Sequence, residues 1–179
     1  MVKIYYTDGA CKGNPGPGGF GVVCIDESQV RKRDQWGNWT ANHYKTYIDY
    51  KYSEQCEQTT NNREELKAIL HVFSFAAKDT ENQYIIYSDS AYAVNIINSW
   101  IYNWVKNDWK NSKNKVIENI DLVKEIYNYL TINFFNCQVK KCSGHVGNIG
   151  NELADALATN NTLKFNKIIK ENNICNDII

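Results

Sequence analysis

Polar and apolar positions alternate from the start of the chain. Val2, Ile4, Tyr6, Asp8 and Ala10 share one face of a period-2 strand over residues 2–10. Residues 13–19, built from glycine, proline and asparagine, must turn, and residues 20–25 predict the return strand of a hairpin. Residues 26–43 are polar, contain Arg31-Lys32-Arg33, Trp36 and Trp39, and read as a long loop or an extended hairpin. Residues 44–57, rich in Tyr, Thr and Ile, predict a third strand. Thr59, Thr60 and Asn61 then offer N-caps to a helix with the apolar stripe Leu66, Ile69, Leu70, Phe73, Ala76 and Ala77. The short apolar run 84–87, closed by Ser88-Asp89, has the pattern of a buried central strand. Helices are expected at about 90–98, 100–106 and 119–131, a strand at 136–142, and a helix at 150–159 packing through Leu153, Ala154, Leu157 and Ala158. A last amphipathic helix from Thr162 would turn Phe165, Ile168 and Ile169 inward. Three leading strands followed by alternating helix and strand predict an α/β domain with a mixed sheet over 1–160, a polar insertion near 26–43, and a C-terminal tail over 161–179.

The 179 residues suit one domain, and 43% hydrophobic with 13% aromatic residues supply a core. Twenty basic residues balance twenty acidic ones, which excludes nucleic-acid binding by gross positive charge but not by a local patch. No run of eighteen apolar residues exists, so no membrane span or membrane partner is expected. The opening residues reach Asp8 too soon for a secretory signal. Six scattered cysteines without a CxxC pair suggest free thiols in a reducing, cytoplasmic setting. Cys137, Cys142 and His145 lack a fourth ligand at zinc-site spacing and read as packing thiols beside a loop.

Both prolines and six of the ten glycines fall between Gly9 and Gly21, and three more are Gly144, Gly147 and Gly150. Two punctuated places of this kind mark loops near a site. Four acids stand where strands end or helices begin: Asp8, Glu65, Asp89, and Asp155 one turn after Asn151. Singly, each suits a cap or a salt bridge. If the strands bearing Asp8 and Asp89 are parallel neighbours, both carboxylates emerge at one sheet edge. Carboxylates gathered in a partly dry site repel, and a hard divalent cation such as Mg²⁺ removes that difficulty. Two such ions about 3.5–4 Å apart can clamp a phosphodiester.

Residues 6–21, running from Tyr6-Thr7-Asp8-Gly9 through Asn14-Pro15-Gly16-Pro17 to Gly21, resemble the opening strand and turn of type 1 ribonuclease H. Thr59-Thr60-Asn61-Asn62-Arg63-Glu64-Glu65 resembles that family's second motif, and Tyr87-Ser88-Asp89-Ser90 its third. Ser143-Gly144-His145-Val146-Gly147, followed by Asn151-Glu152-Leu153-Ala154-Asp155, resembles the fourth. The resemblance implies a five-stranded mixed sheet with helices on both faces. It also implies hydrolysis of the RNA strand of RNA–DNA hybrids to 5′-phosphate and 3′-hydroxyl ends, with little sequence specificity. Asp8, Glu65, Asp89 and Asp155 would hold two Mg²⁺ ions, with Mn²⁺ as a substitute, and His145 would assist proton transfer or product release. Cys11, Asn14, Asn61 and Asn62 would contact the minor groove, and Thr60 with Arg63 a DNA phosphate. Residues 100–110 resemble the basic protrusion that binds the DNA strand, here with Trp100, Trp104, Lys106 and Lys110. With Lys113 and Lys115 against Asp108 the segment carries a net of +3, which predicts weak or salt-sensitive binding.

Three departures qualify the match. The interval from Asp8 to Glu65 is long because of the polar insertion, which reads either as added binding surface or as a solvated hairpin. Ala91 stands where a Gln often follows Asp-Ser, removing one substrate contact. No separate N-terminal hybrid-binding module and so no processivity from a second module is expected, nor an obligate protein partner for what reads as a monomer. A non-catalytic hybrid-binding module on the same fold would have lost a carboxylate, and all four are present. Against a transposase-like DNA cutter or a reverse-transcriptase-associated domain stand the intact Asn61-Asn62-Arg63 and Asp8-Gly9 motifs.

Overall fold

Three antiparallel strands, β1 (Val2–Cys11), β2 (Gly16–Val30) and β3 (His43–Thr59), lead the fold in a computed structural model that describes residues 1–30, 43–132, 136–144 and 147–176. Helix α1 (Asn61–Ala76) carries the chain across to β4 (Gln83–Ser88), which pairs parallel with β1. The chain continues through α2 (Ala91–Asn95), a π-helical turn (Ile96–Trp100), α3 (Ile101–Lys106) and α4 (Ile120–Leu130). It then enters β5 (Cys137–Lys141), parallel to β4, and ends with α5 (Ile149–Ala158) and α6 (Thr162–Glu171). The sheet order is β3-β2-β1-β4-β5, a mixed five-stranded sheet.

Both faces of the sheet are covered. On one, Tyr5, Phe20, Val22 and Ile86 pack with Leu66, Ile69 and Phe73 of α1. On the other, Val23 and Ile48 pack with Leu153 and Ala154 of α5 and Phe165 and Ile168 of α6. Alternation in β1 therefore does not separate core from solvent, because Tyr5 and Thr7 are buried while Ile4 and Tyr6 of the expected face are only half-buried. Helix α1 starts where Thr60, in extended conformation, accepts the Arg63 N–H on Oγ1 at 3.4 Å.

One pair of strands runs past its expected bounds, in line with the extended-hairpin reading of the insertion, and one helical join differs from expectation. The β2–β3 pairing runs on to Val30 and His43, past a register shift at Cys24/Ile25, so the described ends of the polar insertion are an extended hairpin. Ladder hydrogen bonds continue there without an apolar pattern, which is why the sequence rule stopped the strands early. Arg31, Lys32, Arg33, Trp36 and Trp39 lie outside the described residues. The helices expected at 90–98 and 100–106 are one continuous run, since the π turn takes up the change of phase. The tail docks on α5 and returns to β3, where Cys175 accepts from Ile48 N–H at 3.0 Å and donates to Thr46 O at 2.9 Å. Among the described residues, no helix is long and apolar enough to cross a membrane.

Candidate active site

Parallel pairing of β1 with β4 sets Thr7 beside Ser88, so the next residues, Asp8 within β1 and Asp89 just past β4, stand together where the β1–β4 ladder ends. Glu65 arrives from the second turn of α1, on the opposite face of the sheet. It reaches Asp8 because Gly9 has no side chain: a Cβ there would lie 2.3 Å from the Glu65 backbone nitrogen. Gly21, paired with Asp8, plays the same part on the other face. A Cβ at Gly21 would meet Ala154 O at 2.1 Å, so its absence lets α5 settle close to the sheet with Asp155. The glycines of the first motif thus seat both carboxylate-bearing helices, in addition to making the turn.

Carboxylate oxygens of Asp8, Glu65 and Asp89 all lie within 4.8 Å of one another. Asp8 and Glu65 are buried and Asp89 half-buried. Burial, reinforced by the charges of Asp89 and Asp155 and a hydrogen bond with Asp155, pushes the Asp8 carboxyl up to about 8 against the opposing Gly9 N–H. Burial, with Asp8 and Asp89 beside it, holds Glu65 well above the usual carboxylate range, although the Gly9 N–H and the Ser88 hydroxyl favour its charge. Glu65 Oε2 is buried with no hydrogen-bond partner. An orphaned oxygen in a set of three converging acids fits a hard divalent cation, which prefers oxygen ligands and neutralises the repulsion. Asp155 stands outside this trio: it lies against Asp8 but is ion-paired with Lys164 of α6.

The remaining expected site residues divide. Asn14 Oδ1 accepts the Asn61 N–H at 2.9 Å, tying the β1–β2 turn to the start of α1 and setting two amides on one rim, with Asn62 following. Cys11 Sγ donates to Thr59 O at 3.3 Å, beside a groove of about 650 Å³ that also touches Lys12, Gly18, Cys56 and Thr159. Arg63 is not free: its guanidinium meets Asp121 at 2.6 and 3.0 Å and Asn119 Oδ1 at 3.3 Å. Trp104 packs against the core, whereas Trp100 is 38% exposed; Lys106 is exposed and Lys110 lies 3.7 Å from Asp108. His145 lies outside the described residues.

The structure adds neighbours that sequence reasoning did not single out for the site. Asn151, fully buried, donates from Nδ2 to Asp89 Oδ2 at 3.2 Å while its Oδ1 faces the Cys142 thiol at 3.6 Å. Proximity to Asp89, after burial itself, helps push that thiol up to about 11. Asn119, in left-handed backbone at φ 53°, joins Arg63 to the Tyr92 hydroxyl at 3.0 Å. Asn151 one turn before Asp155 was the available signal; nothing local marked Asn119, Asp121 or Lys164.

A family model described as RNase H matches residues 2–162. A ribonuclease H of Orientia tsutsugamushi (strain Boryong) is 36% identical over 171 residues, 96% of this chain and 88% of that protein. The ribonuclease H of Syntrophomonas wolfei subsp. wolfei is 39% identical over 158 residues, 88% of this chain and 93% of its own. Among solved structures, LC9-RNase H1, a type 1 RNase H with the type 2 active-site motif, superposes with a TM-score of 0.65. It is 28% identical, over 88% of this chain and 70% of that one. A family match across nearly the whole chain, with relatives more than a third identical over most of their length, places this chain in the RNase H family.

Proposed function

We propose that this ribonuclease H hydrolyses the RNA strand of RNA–DNA hybrids with two bound Mg²⁺ ions, leaving 5′-phosphate and 3′-hydroxyl ends. The observation that carries this reading is the trio Asp8, Glu65 and Asp89 where the β1–β4 ladder ends, with Glu65 Oε2 left unpartnered. These three acids, with Asp155 as the fourth, would hold the ions. Bound there, Mg²⁺ supplies a water nucleophile at neutral pH and neutralises charge on the leaving oxygen. Mn²⁺, another oxygen-ligated dication, is expected to substitute.

The chain's own groups orient the substrate. Asn14, Asn61 and Asn62 form an amide rim suited to the minor groove, where donors and acceptors are degenerate and sequence counts little. The groove past Cys11 and Thr159 would take the RNA strand. Arg63, held by Asp121, offers a positionally fixed positive charge to a DNA phosphate beside Thr60. Exposed Lys106 and the half-exposed Lys110 would meet the DNA strand farther along, with Trp100 and Trp104 shaping that surface. The role of His145 in proton transfer rests on its motif alone.

The test is cleavage of matched RNA–DNA, RNA–RNA and DNA–DNA duplexes with Mg²⁺, Mn²⁺ or EDTA, beside Asp89→Asn. RNA cut only in the hybrid, only with metal, and not by the variant is the expected result. Hybrid binding without cleavage under any metal would indicate a binding module, and cut DNA would overturn the substrate. A subtler variant probes how Asp89 is held. Asn151→Ala removes its amide donor and is expected to slow cleavage about tenfold and cost about 1–2 kcal/mol of stability. Initial rates and thermal melts of the same sample read both.

A further inference from the structure

We infer that Lys164 is a tethered counter-cation for Asp155 that a divalent ion must displace, so that this lysine sets the metal concentration at which the fourth carboxylate is recruited. The inference rests on the metal-dependent reading above and adds a residue outside the four motifs. Its Nζ pairs with Asp155 Oδ2. Among the described residues, Lys164 is the only lysine or arginine ion-paired with any of the four acids. Its partner is also the acid that stands apart from the trio.

The lysine is delivered by a built feature of the fold. The chain reverses after α5 at Asn160, in left-handed backbone at φ 52°, and the Asn161 N–H donates to Ala156 O at 2.8 Å. Asn161 then caps α6 by accepting the Lys164 N–H at 2.9 Å, and Phe165 and Ile168 anchor that helix against the sheet face under α5. The backbone of Lys164 is thereby fixed beside Asp155, while its side chain remains 40% exposed and Asp155 21% exposed. A half-exposed ammonium on a flexible stem compensates the carboxylate in the absence of metal and can swing into solvent when a dication arrives. An ion recruited only by Asp8, Glu65 and Asp89 meets no such competitor. An ion that also uses Asp155 must break the pair, and pairs of this exposure alter binding by about two- to fivefold.

Mg²⁺ and Mn²⁺ titrations of the wild type, Lys164→Met, Lys164→Gln and Lys164→Arg, read by calorimetry and by the metal-induced rise in melting temperature, test this. Both neutral variants should lower the midpoint of the weaker binding event by about two- to fivefold and melt lower in EDTA, with a larger rise on adding metal, while Lys164→Arg tracks the wild type. Midpoints equal to the wild type's, or higher, in the neutral variants overturn the inference. If the wild type itself shows no saturable binding that Asp8→Asn diminishes, the metal reading fails and this inference with it. If the wild type binds normally and only the lysine variants are silent, the inference alone fails.

Discussion

Asp8→Asn is expected to abolish hybrid cleavage and, in the same protein, to raise the melting temperature of the metal-free form at neutral pH. Loss of cleavage follows from removing a charge at the centre of the acidic trio, at a cost of at least about a hundredfold in rate. The gain in stability follows from proton linkage. Burial and the neighbouring acids raise the Asp8 carboxyl from 3.8 to about 8, so between those values the native state holds a proton that the unfolded chain has released. Stability from this group is complete at low pH and is lost as pH rises through that window. Asparagine keeps the neutral form at every pH, so the variant should match the wild type near pH 4 and exceed it by about 1–3 kcal/mol at pH 8, or roughly 3–9 °C. Saturating Mg²⁺ should shrink the difference, because an ion bound only by the native wild type stabilises it by mass action. Melting curves of both proteins in EDTA and in Mg²⁺ across pH 4–8 check the sign. A wild type whose metal-free stability rises over that range would refute the argument.

Gly9→Ala should destabilise the fold and disable the site through a single methyl group. The methyl would sit 2.3 Å from Glu65 N and 2.6 Å from Glu64 C, backbone atoms that no rotamer change can move. Relief requires the start of α1 to lift off β1. That loosens the packing of Leu66 and Ile69 and carries Glu65 away from Asp8. Overpacking of this kind costs about 1–3 kcal/mol or somewhat more, here about 3 kcal/mol, and lowers the melting temperature by about 6–12 °C. Activity at a temperature where the variant remains folded should still fall sharply, with metal binding weakened, because the displaced group is a proposed ligand. A variant with wild-type metal midpoints and rate would show that α1 can retreat without disturbing Glu65.

Much of this protein is legible locally. Strand and helix periodicity places β1, α1, β4, β5, α5 and α6 within a few residues, since each buries a face whose spacing the backbone dictates. Asp8, Glu65, Asp89 and Asp155 are named by the resemblance of their four motifs to type 1 ribonuclease H, since singly each acid also suits a cap or a salt bridge. The polar hairpin ends were less legible, because ladder pairing from Asp26 to Val30 depends on the backbone and not on side-chain pattern. The join at Ile96–Trp100 was likewise hidden, since a π turn shifts the phase without a breaker residue.

What the sequence determined by itself was the set of elements and the alternation that makes a mixed sheet, with four acids as candidates for the site. What the tertiary structure alone decided is how those acids differ. Parallel pairing of β1 and β4 and the close approach allowed by Gly9 make a trio of Asp8, Glu65 and Asp89, and burial there pushes the Asp8 and Glu65 carboxyls above the usual carboxylate range. Asp155 instead meets Lys164, Arg63 meets Asp121 across 58 residues of chain, and Asn151 meets Asp89 across 62. Arg63 and Asp121, like Asn151 and Asp89, are brought together by packing between elements distant in sequence, and Lys164, nine residues after Asp155, by the chain reversal between α5 and α6; desolvation and charge pairing take their values from that packing.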